Sequence, residues 1–246
     1  MLTALLFTAS AAQADHALLT EDTGVLGKGT WQLEGHAERV HRGSDELTTR
    51  ILQIPIVLGY GISERSDLEV EVAYVREVTQ NGSRRESAQG MGDTLLAWKW
   101  RFYEKGPISL LVRPNASFPT GRDERGLGAG RTSWGVDLVA GYEPRPLRFF
   151  LHAGYLRNRN AIGDREPLWH ASGAVLWTLS EKVELVLDYG RDTHPDPAAS
   201  TTHLTRIAYG LSYAVTKDLV VGGGARNGRS GSEKDRAIVA GLKLRF

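Results

Sequence analysis

The sequence predicts an all-β chain, a twelve-stranded antiparallel up-and-down transmembrane β-barrel, and three observations predict it. Twelve segments from Gly29 onward alternate apolar and polar residues, a period that turns one row of side chains toward lipid and the other toward a lumen. The connections between segments alternate between short and long, as in bacterial barrels with tight periplasmic turns and larger outer loops. Aromatic residues gather near the segment ends, where barrel girdles meet the two membrane interfaces.

The segments run over residues 29–41, 48–60, 67–78, 91–103, 108–119, 132–142, 147–157, 168–179, 183–190, 203–214, 219–226 and 237–246. In the third, Leu68, Val70, Val72 and Tyr74 share one face and Glu69, Glu71 and Glu77 the other. In the last, Ile238, Ala240, Leu242, Leu244 and Phe246 oppose Lys243 and Arg245. The connections after the even segments are short, at residues 61–66, 104–107, 143–146, 180–182 and 215–218. Those after the third, fifth, seventh, ninth and eleventh are expected to be long outer loops rich in Gly, Arg, Asp and Ser, and only the first, near residues 42–46, is short. With odd segments rising and even ones descending, a lower girdle collects Trp31, Tyr60, Trp100, Phe102, Tyr142, Phe149, Trp177, Tyr213 and Phe246. An upper one collects Tyr74, Phe118, Trp134, Tyr155, Trp169 and Tyr189, while Trp98 and Tyr209 fall nearer the middle. A soluble β-sandwich also has alternating strands, but nothing in it would sort loops by length or aromatics into two belts.

The first fourteen residues read as a signal peptide. Leu2 to Ala12 are nearly all apolar or small, and Ala12-Gln13-Ala14 has the small-x-small form of a cleavage site, so the mature chain is expected to begin at Asp15. The absence of Lys or Arg before the apolar stretch departs from the usual pattern. Residues 15–28 are expected to form a periplasmic segment able to reach into the lumen, and residues 29–246 the barrel. With 41% hydrophobic residues and no apolar run of about 20 residues, no transmembrane helix is indicated. Each barrel strand hides its lipid face among polar lumen residues, so the composition fits. No cysteine means no disulfide framework, and a net charge of +1 gives no case for nucleic acid. The terminal Phe246 on the last strand is expected to engage the barrel-assembly machinery of a Gram-negative outer membrane.

Twelve strands set a narrow lumen, between filled eight-stranded barrels and open sixteen-stranded ones. Parity places Glu34, Glu38, Glu69, Glu71, Glu77 and Asp93 inside, followed by Lys99, Arg101, Arg113, Arg148, Arg206, Arg226, Lys243 and Arg245. The acids largely precede the bases. Segregated charge would orient a polar solute; the plainer expectation is pairing, because unpaired charge in a narrow lumen is costly. Closure is expected to bring Lys243 and Arg245 beside Glu34 and Glu38. The candidates for selectivity are Glu34, Glu69, Glu71, Asp93, Lys99, Arg101, Arg113, Arg206, Lys243 and Arg245. Ile51, Pro55 and Val57 make an apolar inward stripe. On the lipid side of the outer rim, Arg39, Arg50, Arg76 and Arg157 could bind lipopolysaccharide phosphates.

Catalytic and metal chemistry find little support. His170 and Ser172 have the spacing of a hydrolytic pair on a strand, but parity turns them into the lumen, away from lipid, and no orienting acid can be assigned. His194 and His203, near Asp192 and Asp196, lack metal-ligand spacing. Neither a catalytic centre nor a metal is expected.

Three stretches carry a family resemblance: Thr20 to Glu34 (TEDTGVLGKGTWQLE), Gly90 to Lys99 (GMGDTLLAWK) and Phe118 to Gly121 (FPTG). They are similar to the MetA pathway of phenol degradation family of outer-membrane proteins. That resemblance implies a β-barrel transporter linked by name to uptake of aromatic compounds, and its matching positions here are Gly90, Gly92, Asp93, Lys99, Pro119, Thr120 and Gly121. Asp93 and Lys99 share a parity but lie about 20 Å apart along a strand, so each needs its own partner. The expected function is passive uptake of small, apolar or aromatic solutes without a cofactor. A non-conducting structural or lipid-binding barrel, or a lipid hydrolase using His170 and Ser172, are the alternatives.

Overall fold

A computed structural model describes residues 19–43 and 47–246; the expected export segment and its cleavage site lie outside the described residues. The strands are β1 (Trp31–Gly43), β2 (Leu47–Ser63), β3 (Ser66–Asn81), β4 (Arg84–Met91), β5 (Thr94–Lys105), β6 (Ile108–Phe118) and β7 (Ser133–Tyr142). They continue as β8 (Leu147–Arg157), β9 (Pro167–Thr178), β10 (Val183–Thr193), β11 (His203–Ala214), β12 (Leu219–Ser230) and β13 (Glu233–Arg245). Pairing is antiparallel throughout, and β13 returns to β1 with Glu34 opposite Lys243. β4 and β5 both pair with β3, β4 along residues 74–81 and β5 along 66–71, so they are two parts of one wall strand interrupted at Gly92-Asp93. The sheet is a closed twelve-stranded barrel, the fold read from the sequence.

Two of the expected long outer loops are instead strand. β3 and β4 continue upward to a two-residue turn at Gly82-Ser83, and β12 and β13 to another at Gly231-Ser232, each with its glycine at positive φ. Above the membrane neither face meets lipid, so the apolar alternation that marks a strand fades while the hydrogen-bonded ladder persists. The wall is therefore tall from β12 through β1 to β4. On the other side it ends lower, and the longer connections at residues 119–132, 158–166 and 194–202 stand on it.

The outer surface is apolar between two belts. In the lower belt Trp31 packs on Tyr60, Trp100 on Phe102 and Tyr142 on Phe149; Trp98, which the belts had not accommodated, stacks on Trp100 at 5.7 Å. In the upper belt Tyr155 bridges Trp134 and Trp169. The core lies in the lumen, where apolar and charged side chains are buried together. Leu151, midway along β8 and 67% exposed, points outward into the apolar band. Leu151→Arg is expected to cost about 2–4 kcal/mol, measured as a shift of the urea unfolding curve in lipid vesicles.

Candidate functional site in the barrel lumen

The segment before β1 crosses the lower lumen. It is clipped to the floor by Gly29 N–H donating to Gly61 O at 2.8 Å and Gly61 N–H to Thr30 O at 2.9 Å. A side chain at Gly61 would collide with the Gly27 backbone, so this close approach requires glycine. Going backward along the chain, Leu26 N–H donates to Asp67 of β3 at 2.9 Å and Thr23 Oγ1 lies 2.6 Å from Ser109 Oγ of β6. Glu21 N–H donates to His152 Nδ1 of β8 at 3.3 Å, and the Leu19 and Thr20 N–H groups donate to Asp188 of β10 at 2.7 and 2.8 Å. With β4 and β5 counted as one, β3 and β10 are six positions apart in a ring of twelve, so the segment spans opposite walls.

Its charges complete a buried network. Lys99 Nζ lies 2.8 Å from Glu21 Oε1 and 4.0 Å from Glu69. Arg113, 1% exposed, lies 3.1 Å from Glu69, 3.3 Å from Asp137 and 3.8 Å from Glu21, and Asp137 meets His152 Nε2 at 3.1 Å. Burial acts to raise the Asp22 carboxyl, but the Lys99 and Lys243 ammonium groups and the Gly24 N–H hold it below its ordinary value.

A second network lies higher. Arg206 binds Asp192 at 2.7 Å and approaches Asp235 at 3.9 Å; Arg42 reaches Asp235 at 3.2 Å and Glu233 at 3.4 Å. The partner of Glu38 is Arg226 at 2.7 Å, not Lys243 or Arg245. Strand register explains the difference, since Lys243 faces Glu34 while Glu38 faces the uncharged Val239. Arg245 is exposed at the lower rim and donates to Gln32 at 3.1 Å, and Arg101 pairs with Glu104 at 3.2 Å beside the bulge near the foot of β5. Glu71 is buried on β3 beside Glu69, and Arg148 binds Glu184. The expected segregation of acids before bases does not hold, because Asp137, Asp188, Asp192 and Asp235 also line the wall beyond β5. Parity marks Asp188, opposed to Leu185, Leu187 and Tyr189; Asp137 sits between Val136 and Leu138 in a stretch with little contrast between faces.

The motif residues around Asp93 build an inward-folded outer loop. The wall break at Gly92 lets the Asp93 carboxylate, 1% exposed, accept hydrogen bonds from Gly121 N–H at 2.9 Å and Ala129 N–H at 2.8 Å. Thr120 Oγ1 lies 2.9 Å from Thr94 Oγ1, and Pro119 precedes it at the top of β6. Gly121 has no room for a Cβ against Gly92 and Leu127. Lys99 stays apart, down at Glu21. The anchored loop pushes Leu127 into a buried apolar cluster with Val40, Ile51, Ala73, Val75, Ala88 and Ala237, and Pro55 and Val57 continue this surface down β2. A cavity of about 460 Å³, lined by Arg76, Ser87, Ala88, Gln89, Glu124 and Arg125, reaches the cluster member Ala88 along the edge of β4 that has no second strand. On β8 to β10 a second apolar cluster, Phe150, Ala174, Leu176 and Val186, lies below.

His170 and Ser172 do have an orienting acid, which the sequence could not assign. His170 Nε2 lies 2.8 Å from Ser172 Oγ and Nδ1 2.6 Å from Asp192 Oδ1. The group faces the lumen, and Thr20 Oγ1 lies 2.8 Å from both Ser172 Oγ and Asp188 Oδ1. Ser172 is paired across to both His152 and Gly190, so the ladder engages the backbone where acyl transfer would need free oxyanion donors. His194 turns to Glu233 at 3.6 Å, apart from Asp192. Among the described residues no group of three His, Asp or Glu is placed to hold a metal.

The profile of a family described as the MetA-pathway of phenol degradation matches residues 14–246. No curated protein matches the chain. Among solved structures, the COG4313 outer membrane channel from Pseudomonas putida F1 superposes with a TM-score of 0.66 at 14% identity, covering 92% of this chain and 98% of that one. The translocator domain of the autotransporter NalP from Neisseria meningitidis gives 0.57 at 13% identity, covering 89% of each. The KdgM porin gives 0.52 at 10%, covering 86% of this chain and 99% of the porin. At these identities the likeness is one of fold, and the fold is that of the outer membrane.

Two substitutions test the site's construction. Asp93→Ala strands two N–H groups at about 1–3 kcal/mol each, so trypsin is expected to cut at Arg122 or Arg125 in the variant while the barrel stays intact. Arg113→Met leaves Glu69, Asp137 and Glu21 without their shared cation and is expected to destabilise the barrel by about 3–5 kcal/mol, read from its heat-modifiable gel mobility and urea midpoint.

Proposed function

The chain belongs to the MetA-pathway of phenol degradation family and folds as an outer-membrane barrel, and from these premises we propose that it is a passive channel for small apolar or aromatic solutes. The observation that carries the reading is a lumen that sets apolar surface beside charge. The apolar cluster under Leu127 lies on the upper wall from β13 through β1 to β4 and continues down Pro55 and Val57, and buried charged groups line the same strands and the facing wall. A solute with an apolar ring and a polar substituent finds a surface for each part. The cavity beside β4 gives it an approach to Ala88 from outside.

The segment of residues 19–26 fills the lower lumen through hydrogen bonds and ion pairs. Passage requires this segment to yield and water to take over its contacts. The same segment is what favours the alternative, a non-conducting structural barrel. The Ser172, His170 and Asp192 group serves on this reading to hold Thr20, with no hydrolysis. The partners are outer-membrane lipids, lipopolysaccharide, the barrel-assembly machinery through Phe246, and the solute itself.

Reconstituted wild-type protein is expected to raise bilayer conductance or the flux of a monocyclic aromatic into vesicles, and Glu21→Ala to increase either several-fold by freeing Lys99. If neither protein conducts nor transports, the channel reading fails and the structural one stands. Val75→Asp is expected to reduce aromatic flux while leaving ion conductance in place. Release of fatty acid from phospholipid, lost in Ser172→Ala, would establish the hydrolase instead.

A further inference from the structure

The strand registers place a set of cations on the lipid-facing side of the tall wall. One row across β13, β1, β2, β3 and β4 reads Ile238, Arg39, Leu52, Arg76 and Gln89. The next row outward reads Arg236, His41, Arg50, Val78 and Ser87, and the one beyond it Lys234, Gly43, Thr48, Gln80 and Arg85. None of these fifteen positions is acidic. Arg39, Arg50, Arg76 and Arg236 are exposed, and none has a carboxylate partner among the described residues. Arg157, by contrast, is paired with Glu166 at 2.7 Å, which removes it from the set read from the sequence. Glu124 joins Arg76 only in lining the cavity beside β4.

Depth fixes what these cations meet. The row just inward is Ala240, Ala37, Ile54, Tyr74 and Met91, apolar and carrying an upper-belt tyrosine. The cations therefore begin one row outside the aromatic belt, at the level of the lipid headgroups. They extend over four strands, about 15 Å at the usual strand spacing. Exposed guanidinium groups without acidic neighbours form paired hydrogen bonds to phosphate.

We infer that the outward face of β13, β1, β2 and β3 is a binding site for the two phosphates of lipid A, held by Arg39, Arg50, Arg76 and Arg236. This rests on lipopolysaccharide being a partner and not on conduction. The acyl chains would lie on the apolar rows below, which continue inward without a charge through Leu242, Gly35, Ile56 and Val72.

The test uses the full barrel in phosphatidylcholine nanodiscs, with diphosphoryl lipid A, monophosphoryl lipid A and phosphatidylglycerol as probes. The wild type is expected to prefer diphosphoryl lipid A, and the combined variant Arg39→Gln, Arg50→Gln, Arg76→Gln, Arg236→Gln to bind it at least about tenfold more weakly. Arg157→Gln is the control and should bind as the wild type does. Heat-modifiable mobility confirms that each variant is folded, and unchanged conductance in the variant Arg39→Gln, Arg50→Gln, Arg236→Gln, which spares the cavity-lining Arg76, separates this site from the channel. Equal lipid A binding by the folded combined variant, or equal affinity of the wild type for phosphatidylglycerol, overturns the assignment.

Discussion

Everything in this molecule depends on one constraint: inside the hydrocarbon of a membrane, no backbone N–H or C=O can be left without a partner. A sheet meets that demand only by closing, and it closes where β13 pairs with β1 over residues 32–43. Closure fixes parity on every strand at once, because a shift of one residue would turn all the lumen side chains of that strand into lipid. It also leaves one edge free. β4 lacks a second partner only above the upper belt, where water and the folded outer loop can satisfy it.

A polar lumen follows, and with it a problem of charge. Arg113, Lys99 and Arg206 are buried almost completely, which is tolerable only because each is held between carboxylates. Glu21 is part of that solution although it lies outside the barrel strands, so the N-terminal segment belongs to the electrostatic structure of the wall. Its removal would leave Lys99 and Arg113 short of negative charge. Asp93 answers a different demand with the same chemistry, trading a salt bridge for two backbone N–H groups and thereby tying down the loop that carries Leu127.

Much of the barrel was legible because lipid imposes a strong local rule. Leu68, Val70 and Tyr74 against Glu69, Glu71 and Glu77 could hardly be arranged otherwise. The rule stops at the membrane edge, which is why residues 79–90 and 227–236 read as loops although they continue the ladder. The lumen was less legible, since parity says that Glu38 points inward and nothing about its height relative to Arg226 on another strand. Asp192 illustrates the limit. It became visible as the partner of His170 only when β10 was laid beside β9 in register.

The uneven height of the wall has a mechanical consequence. From β12 round to β4 the mouth is bounded by continuous sheet, whose ladder resists deformation, while from β6 to β10 it is bounded by connections. A change of aperture is thus confined to one side. Arg39, Arg50 and Arg236 stand on the stiff side, while Arg76 shares the cavity beside β4 with Glu124 and Arg125 of the 119–132 connection. A ligand that touches only what is the same in a wider and a narrower mouth has no differential affinity for the two states and cannot shift the balance between them. In this architecture a lipid anchored in the outer leaflet is coupled to the mouth through Arg76.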